Sequence, residues 1–107
     1  MSNEKNPPMT LVGELQWMEL RYTEEGNAVV NFILSHTPTR YDKQEQRRVP
    51  RETMLMPCCV WGDKALKFAD QAKVGDQIVA VGELRAFNIY KRYKVELWCS
   101  TVARVFS

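Results

Sequence analysis

Apolar and polar residues alternate along most of this chain with the two-residue period of β-strands. Residues 10–17 place Leu11, Gly13 and Leu15 on one face and predict a first strand. Glu24-Glu25-Gly26-Asn27 is a turn signal, because Gly and Asn accept positive φ at little cost. Residues 28–35 predict a second strand. Residues 53–61 predict a third, in which Pro57 reads as an edge or bulge position because it cannot donate to a ladder. Gly62-Asp63 ends that strand. From Asp63, a good helix N-cap, the residues Ala65, Phe68, Ala69 and Ala72 fall at the spacing of a single apolar helix face. Val74-Gly75-Asp76 stops the helix. Residues 77–87, with the β-prone run Ile78, Val79, Ala80 and Val81, and residues 95–105 predict the fourth and fifth strands. Residues 1–9, polar with two prolines, read as a disordered leader ahead of one domain over residues 10–107.

Three strands, one short helix and two more strands make the β-β-β-α-β-β order of an all-β, five-stranded OB-fold Greek-key barrel, with the helix between strands 3 and 4. The middle strands and loops of such barrels bind oligonucleotides or oligosaccharides. A length of 107 residues, 45% hydrophobic and 26% charged, fits one compact domain with an ordinary core. The first residues lack an apolar signal-peptide region and no run approaches the roughly 18 apolar residues of a membrane span, so a soluble, cytoplasmic protein is expected. Cys58, Cys59 and Cys99 have neither a CxxC spacing nor a nearby His cluster. They read as structural thiols of a reducing compartment, and no metal or other cofactor is expected.

Charge changes the picture more than composition does. Residues 36–52 hold five Lys/Arg against three acids, and residues 88–94 hold three against none. The rest of the chain keeps seven of the fifteen basic residues and ten of the thirteen acidic ones, so the net charge of +2 hides an acidic body with two basic arms. Both arms fall where the strand pattern leaves long hairpin loops. Tyr41 lies in the first, and Tyr90 and Tyr93 in the second. Cations mixed with flat π-faces suit a single-stranded nucleic acid.

Several blocks then carry a specific likeness. Residues 11–15 (LVGEL), 19–23 (ELRYT) with Gly26 and Ala28-Val29, Val60-Trp61-Gly62, Val74-Gly75-Asp76 and residues 81–85 (VGELR) resemble bacterial single-stranded DNA-binding proteins in order and approximate spacing. Phe32-Ile33-Leu34-Ser35-His36 and Met56-Pro57 also resemble the primosomal replication protein N branch of that superfamily. The resemblance implies sequence-independent binding of single-stranded DNA in replication, recombination or repair. It also implies a homo-oligomer, a dimer or a tetramer, whose partners include single-stranded DNA, with RNA not excluded, and replication or primosome proteins. The alternative it implies is an adaptor for helicase loading in replication restart.

Strand parity puts Leu55, Pro57, Cys59 and Trp61 on one face, and Glu83, Arg85, Phe87 and Ile89 on another that the resemblance joins to it. The family's stacking aromatics would fall at Leu55 and Ile89, which cannot stack as an indole does. Trp61 and Phe87 remain as candidate stacking residues, with Arg85 beside them; base stacking is worth about 1–3 kcal/mol per base. Arg21 and Tyr22 follow the first strand as further candidate contacts. Arg40, Tyr41, Lys43, Arg47, Arg48 and Arg51 on one loop, and Tyr90, Lys91, Arg92 and Lys94 on the other, read as its cationic walls. The first loop has only Val49 as an apolar residue, so it reads as free to close over a strand. Trp17 and Trp98 read as packing or interfacial residues. No catalytic residue is assigned: His36 lacks a triad partner, and no phosphate-loop, HExxH or EF-hand pattern occurs.

Overall fold

The computed structural model describes residues 6–105. Five strands close into a barrel: β1 (Pro8–Tyr22), β2 (Ala28–His36), β5 (Met54–Trp61), β7 (Arg92–Arg104) and β6 (Gln77–Ile89), in that order around the wall. β3 (Thr39–Asp42) and β4 (Arg47–Pro50) form a separate two-stranded ribbon, and α1 (Asp63–Gln71) sits between β5 and β6. This is the expected OB-fold, with β5, β6 and β7 as the predicted strands 3, 4 and 5. Inward residues of every wall strand fill the barrel, among them Leu11, Leu15, Val30, Phe32, Leu34, Val60, Ile78 and Leu97. The apolar face of α1 closes one opening: the Phe68 ring centroid lies 4.7 Å from that of Phe32, and Ala65 and Ala72 are buried beside it.

β1 makes closure possible by serving two ladders. Its first half pairs with β6 and its second half with β2, and Glu14 belongs to both, opposite Gln77 and opposite Ser35. A strand bent this sharply needs room at the bend, and Gly13 supplies it: a Cβ there would lie 2.5 Å from the Ser35 carbonyl oxygen. Leu15 stays opposite Leu34, just before the register shift that separates it from Trp17, and its own N–H and C=O bond elsewhere. The turn after the helix takes them up, since Leu15 N–H donates to Asp76 O at 2.8 Å and Gly75 N–H donates to Leu15 O at 2.8 Å. Gly82 marks the matching shift in β6, where a Cβ would meet the Trp98 carbonyl oxygen at 2.0 Å. Both bends are therefore built on missing side chains.

The structure corrects several expectations. The barrel begins earlier than residue 10: Pro8 and Met9 pair with Glu83 and Gly82, while residues 1–5 of the expected leader lie outside the described residues. β1 also runs on to Tyr22, so Arg21 and Tyr22 are strand residues. The helix N-cap is Gly62, not Asp63, because the chain turns from β5 into the helix at a single residue with φ 74°, which Asp adopts only with strain. Asp63 still lies in the first turn, where its charge favours the helix dipole.

The largest difference concerns the segment expected to be a free loop, which contains the β3–β4 ribbon. The Asp42 carboxylate accepts from the N–H groups of Gln44 and Glu45 at 2.8 and 3.2 Å, and so shapes the ribbon's turn. Backbone pairing needs no apolar face, which is why a polar segment can be ordered this way. Pro57, expected at an edge or bulge, lies instead within a wall strand of the closed barrel. It pairs with Ile33 of β2, and the parallel β5–β7 ladder covers only Cys58 and Cys59.

A substitution at Gly82 tests the bend. Gly82→Ala drives a Cβ into backbone that cannot retreat without opening the β6–β7 ladder, so urea unfolding should show a loss of about 3 kcal/mol. A loss below about 0.5 kcal/mol would show that the ladder has slack there.

Candidate nucleic-acid interface

Register places the side chains of the outer wall. β5 turns Leu55, Pro57, Cys59 and Trp61 outward, and Cys59 lies opposite Asn31 of β2 and Trp98 of β7. β6 turns Glu83, Arg85, Phe87 and Ile89 outward, and Glu83 faces Trp98 across the β6–β7 ladder. Trp98 thus stands between the two predicted floor strands. Its ring centroid lies 6.2 Å from that of Trp61 and 6.1 Å from that of Phe87, with tilts of 40° and 38°. The Arg85 guanidinium carbon lies 4.0 Å from the Trp98 ring centroid. Three rings and a planar cation make one continuous patch, in which Trp61 is 42% exposed.

The reading of Trp98 as a packing or interfacial residue missed this position. A signal existed in the sequence: Trp98 shares parity with Glu96 and Ser100, while Val95, Leu97 and Cys99 take the other face. Leu55 and Ile89 lie on the same outer face and are exposed, but offer no ring. Arg21 is opposite Val29, which is opposite Trp61, so β1 presents Arg21 on the patch's face two strands away. Tyr22 has the opposite parity. It pairs with buried Ala28, and the structure does not bring it to the patch.

The two basic arms leave the barrel at the same end. β5 and β7 run parallel; the ribbon precedes β5, and the β6–β7 turn precedes β7. Because β5 and β7 pair at only two positions, they separate toward the ends that carry the arms. The projections give a radius of gyration of 16.0 Å, against about 13 Å for a compact chain of this length. The second arm is a tight turn rather than a loop. Tyr90 and Lys91 have φ 52° and 66°, the left-handed pair of a two-residue hairpin turn, and Tyr90 is 94% exposed.

Strand alternation also divides the first arm's cations. Arg40 and Arg47 share one ribbon face with Val49 and Asp42; Arg48 shares the other with Tyr41. Arg48 is fixed there, its Nε donating to Thr39 Oγ1 at 2.8 Å and a terminal nitrogen to Thr39 O at 3.0 Å. Arg47 pairs with Glu45 at 3.0 Å in the open, a contact worth no more than about 1 kcal/mol. Lys43 lies in the turn and Arg51 beyond the ribbon. Among the described residues, Arg40, Lys43, Arg51, Lys91 and Arg92 form no ion pair. On the floor, Arg85 pairs with Glu83 at 3.3 Å and Lys94 with Glu96 at 3.8 Å.

Cys59 points outward yet is only 3% exposed, with Trp98 beside it in the ladder and Trp61 two residues on. Burial pushes its thiol up to about 11, against a smaller downward pull from hydrogen bonding near Trp61. Hydrogen bonding with Cys99, together with burial, holds the Cys58 thiol well above the ordinary thiol range. Among the described residues no group of three or more His, Cys, Asp or Glu side chains could hold a metal ion, and no helix is long and apolar enough to cross a membrane.

A closed five-stranded β-barrel with an aromatic outer wall between two basic hairpins has the architecture of the oligonucleotide- and oligosaccharide-binding barrels. The chain belongs to the single-strand binding protein family, whose pattern it matches over residues 8–104. It is 35% identical over 78 residues to a single-stranded DNA-binding protein of Mycobacterium leprae, covering 72% of this chain and 46% of that one. It is 36% identical over 85 residues to single-stranded DNA-binding protein 1 of Tropheryma whipplei (strain Twist), covering 78% and 46%. The chain therefore spans about half the length of these relatives. Its fold matches the small single-stranded DNA-binding protein from Streptomyces coelicolor with a TM-score of 0.83 at 17% identity, covering 96% of each chain. The wild-type protein from Thermus aquaticus matches at a TM-score of 0.75 and 21% identity, covering 92% of this chain and 50% of that one. The family is named for binding single strands.

The buried thiols give a direct check on the patch. A raised thiol pKa leaves little thiolate at pH 8, so iodoacetamide should spare Cys58 and Cys59 in the folded protein while labelling both in denaturant. Cys59 labelling should rise as pH climbs toward about 11. Peptide mass mapping reads this out, and rapid labelling of Cys59 at pH 8 would show the aromatic cover to be open.

Proposed function

We propose that this chain binds single-stranded DNA without strong sequence preference, in replication, recombination or repair. The observation that carries the reading is the Trp61–Trp98–Phe87 patch on the barrel wall, with Trp61 exposed and Arg85 lying over Trp98, beside two cation-bearing hairpins that leave the same end. Every base has a π-face, so rings hold a strand without reading it, and cations on the arms meet phosphates, which carry no sequence information. The proposed contacts are Arg21, Trp61, Arg85, Phe87 and Lys94 on the floor, with Trp98 beneath Arg85, and Arg40, Tyr41, Lys43, Arg47, Arg48, Arg51, Tyr90, Lys91 and Arg92 on the arms. Self-association belongs to the proposal: one barrel offers few rings, and joining copies raises affinity without new contacts. Val12, Trp17 and Leu20, exposed on β1, supply apolar surface for it. The adaptor reading rests on a likeness in residues 32–36 and Met56-Pro57, of which Phe32, Leu34 and Met56 are barrel core. Those positions speak for packing rather than for a helicase-binding surface.

Titration of tryptophan fluorescence with an oligo-thymidine strand at two salt concentrations tests the binding. Quenching at low salt that weakens steeply at high salt is expected; no quenching at low salt sinks the reading. The ribbon's split faces add a sharper expectation. Neutralising Arg40 and Arg47 together, or Arg48 alone, should lower the slope of log K against log salt by about 0.7 for each phosphate that no longer meets a cation, and only the ribbon face turned to the strand should respond.

A further inference from the structure

We propose that Arg85 is itself a stacking residue: a nucleobase rests on the outer face of its guanidinium plane, and the Trp98 indole backs it from below. This rests on the binding function proposed above and names how one of its subsites works. The guanidinium carbon lies 4.0 Å from the Trp98 ring centroid, so the cation sits on the ring at contact distance. One terminal nitrogen is held by Glu83 Oε2 at 3.3 Å, and the side chain stays 38% exposed. Arg85 Nε and Trp98 Nε1 are both buried without a hydrogen-bond partner. Stacking on the ring, with the Glu83 contact, is therefore what holds the plane in position.

Three consequences point the same way. Arg85 covers the Trp98 face, so a base meets the guanidinium before it can meet that indole. Bases stack on guanidinium planes as they do on aromatic rings, and a cation above an indole is itself favourable. Arg85 is also ordered before any strand arrives, which removes the entropy cost of fixing a long side chain on binding. With Leu55 and Ile89 at two outer-face positions that lack rings, the plane of Arg85 restores a flat surface between Trp61 and Phe87.

Charge and shape are separated by Arg85→Lys, which keeps the cation and removes the plane. With oligo-thymidine at fixed salt, the variant should bind about tenfold more weakly than the wild type, the scale of one stacked base. Its slope of log K against log salt should be unchanged. Lys67→Arg, an exposed cation on α1 outside the proposed interface, should stay within about twofold of the wild type. Wild-type affinity in Arg85→Lys would overturn the proposal by showing that charge alone suffices. Tighter binding with deeper tryptophan quenching in Arg85→Ala would overturn it differently, by showing Arg85 to be a cover that bases must displace. If the wild type itself fails to quench, the binding function falls, and this subsite with it; binding by the wild type with an indifferent Arg85→Lys removes only the subsite.

Discussion

Two residue pairs hold the outer wall together. Cys58 lies beside Leu97 and Cys59 beside Trp98, and among the described residues this short parallel ladder is the backbone pairing that joins β5 to β7. Without it the sheet is an open meander in which Trp61 and Trp98 sit on separate strands. With it the barrel closes, Phe32 and Phe68 gain an enclosed core, and the outward rings come within 6.2 Å of one another. The ladder is short for a reason: Pro57 cannot donate to it, and β5 and β7 part on that side. Their parting directs the two arms from one end of the barrel. Closure, core and interface thus share one origin.

Glycine placement makes that closure tolerable. A five-stranded barrel bends its strands sharply, and here the bends fall at Gly13 and Gly82, each tight against a backbone carbonyl. The second of these carbonyls belongs to Trp98. The same close approach that curls β6 around β7 therefore sets where the Trp98 indole emerges on the wall. A side chain at Gly82 would disturb the core and the patch together.

Much of this was legible in the chain, and the failures have identifiable causes. The alternation of Leu11, Gly13 and Leu15, the apolar spacing of Ala65, Phe68 and Ala72, and the order of elements were enough for the barrel, because burial imposes a period that sequence must obey. The β3–β4 ribbon was not legible, since a ribbon exposed on both faces needs no apolar period and is held by backbone pairing and the Asp42 turn. Trp98 escaped because parity says which face a residue takes, not which strand lies next to it; its neighbour Cys59 is distant in sequence. Arg21 and Tyr22 looked like one binding element because they are adjacent. Within a strand, adjacency means opposite faces.

Charge is distributed so that attraction and grip are separate tasks. The floor carries Glu83 and Glu96 as well as Arg85 and Lys94, paired at 3.3 and 3.8 Å, and so presents little net charge to a polyanion. Acids on such a surface weaken long-range attraction, yet Glu83 also fixes the guanidinium that lies on Trp98. Arg40, Lys43, Arg51, Lys91 and Arg92, which form no ion pair among the described residues, sit instead on or beside the hairpins, where exposure would let them follow a flexible phosphate chain. On the proposed function, a strand would be drawn in by the arms, with the salt dependence this brings, and held on the floor by contacts that salt barely screens. With no ring at Leu55 or Ile89, the floor has fewer stacking positions to offer, and the balance shifts toward the arms. On the proposed function, binding would for that reason be governed more by ionic strength than binding to a wall with rings at those two positions.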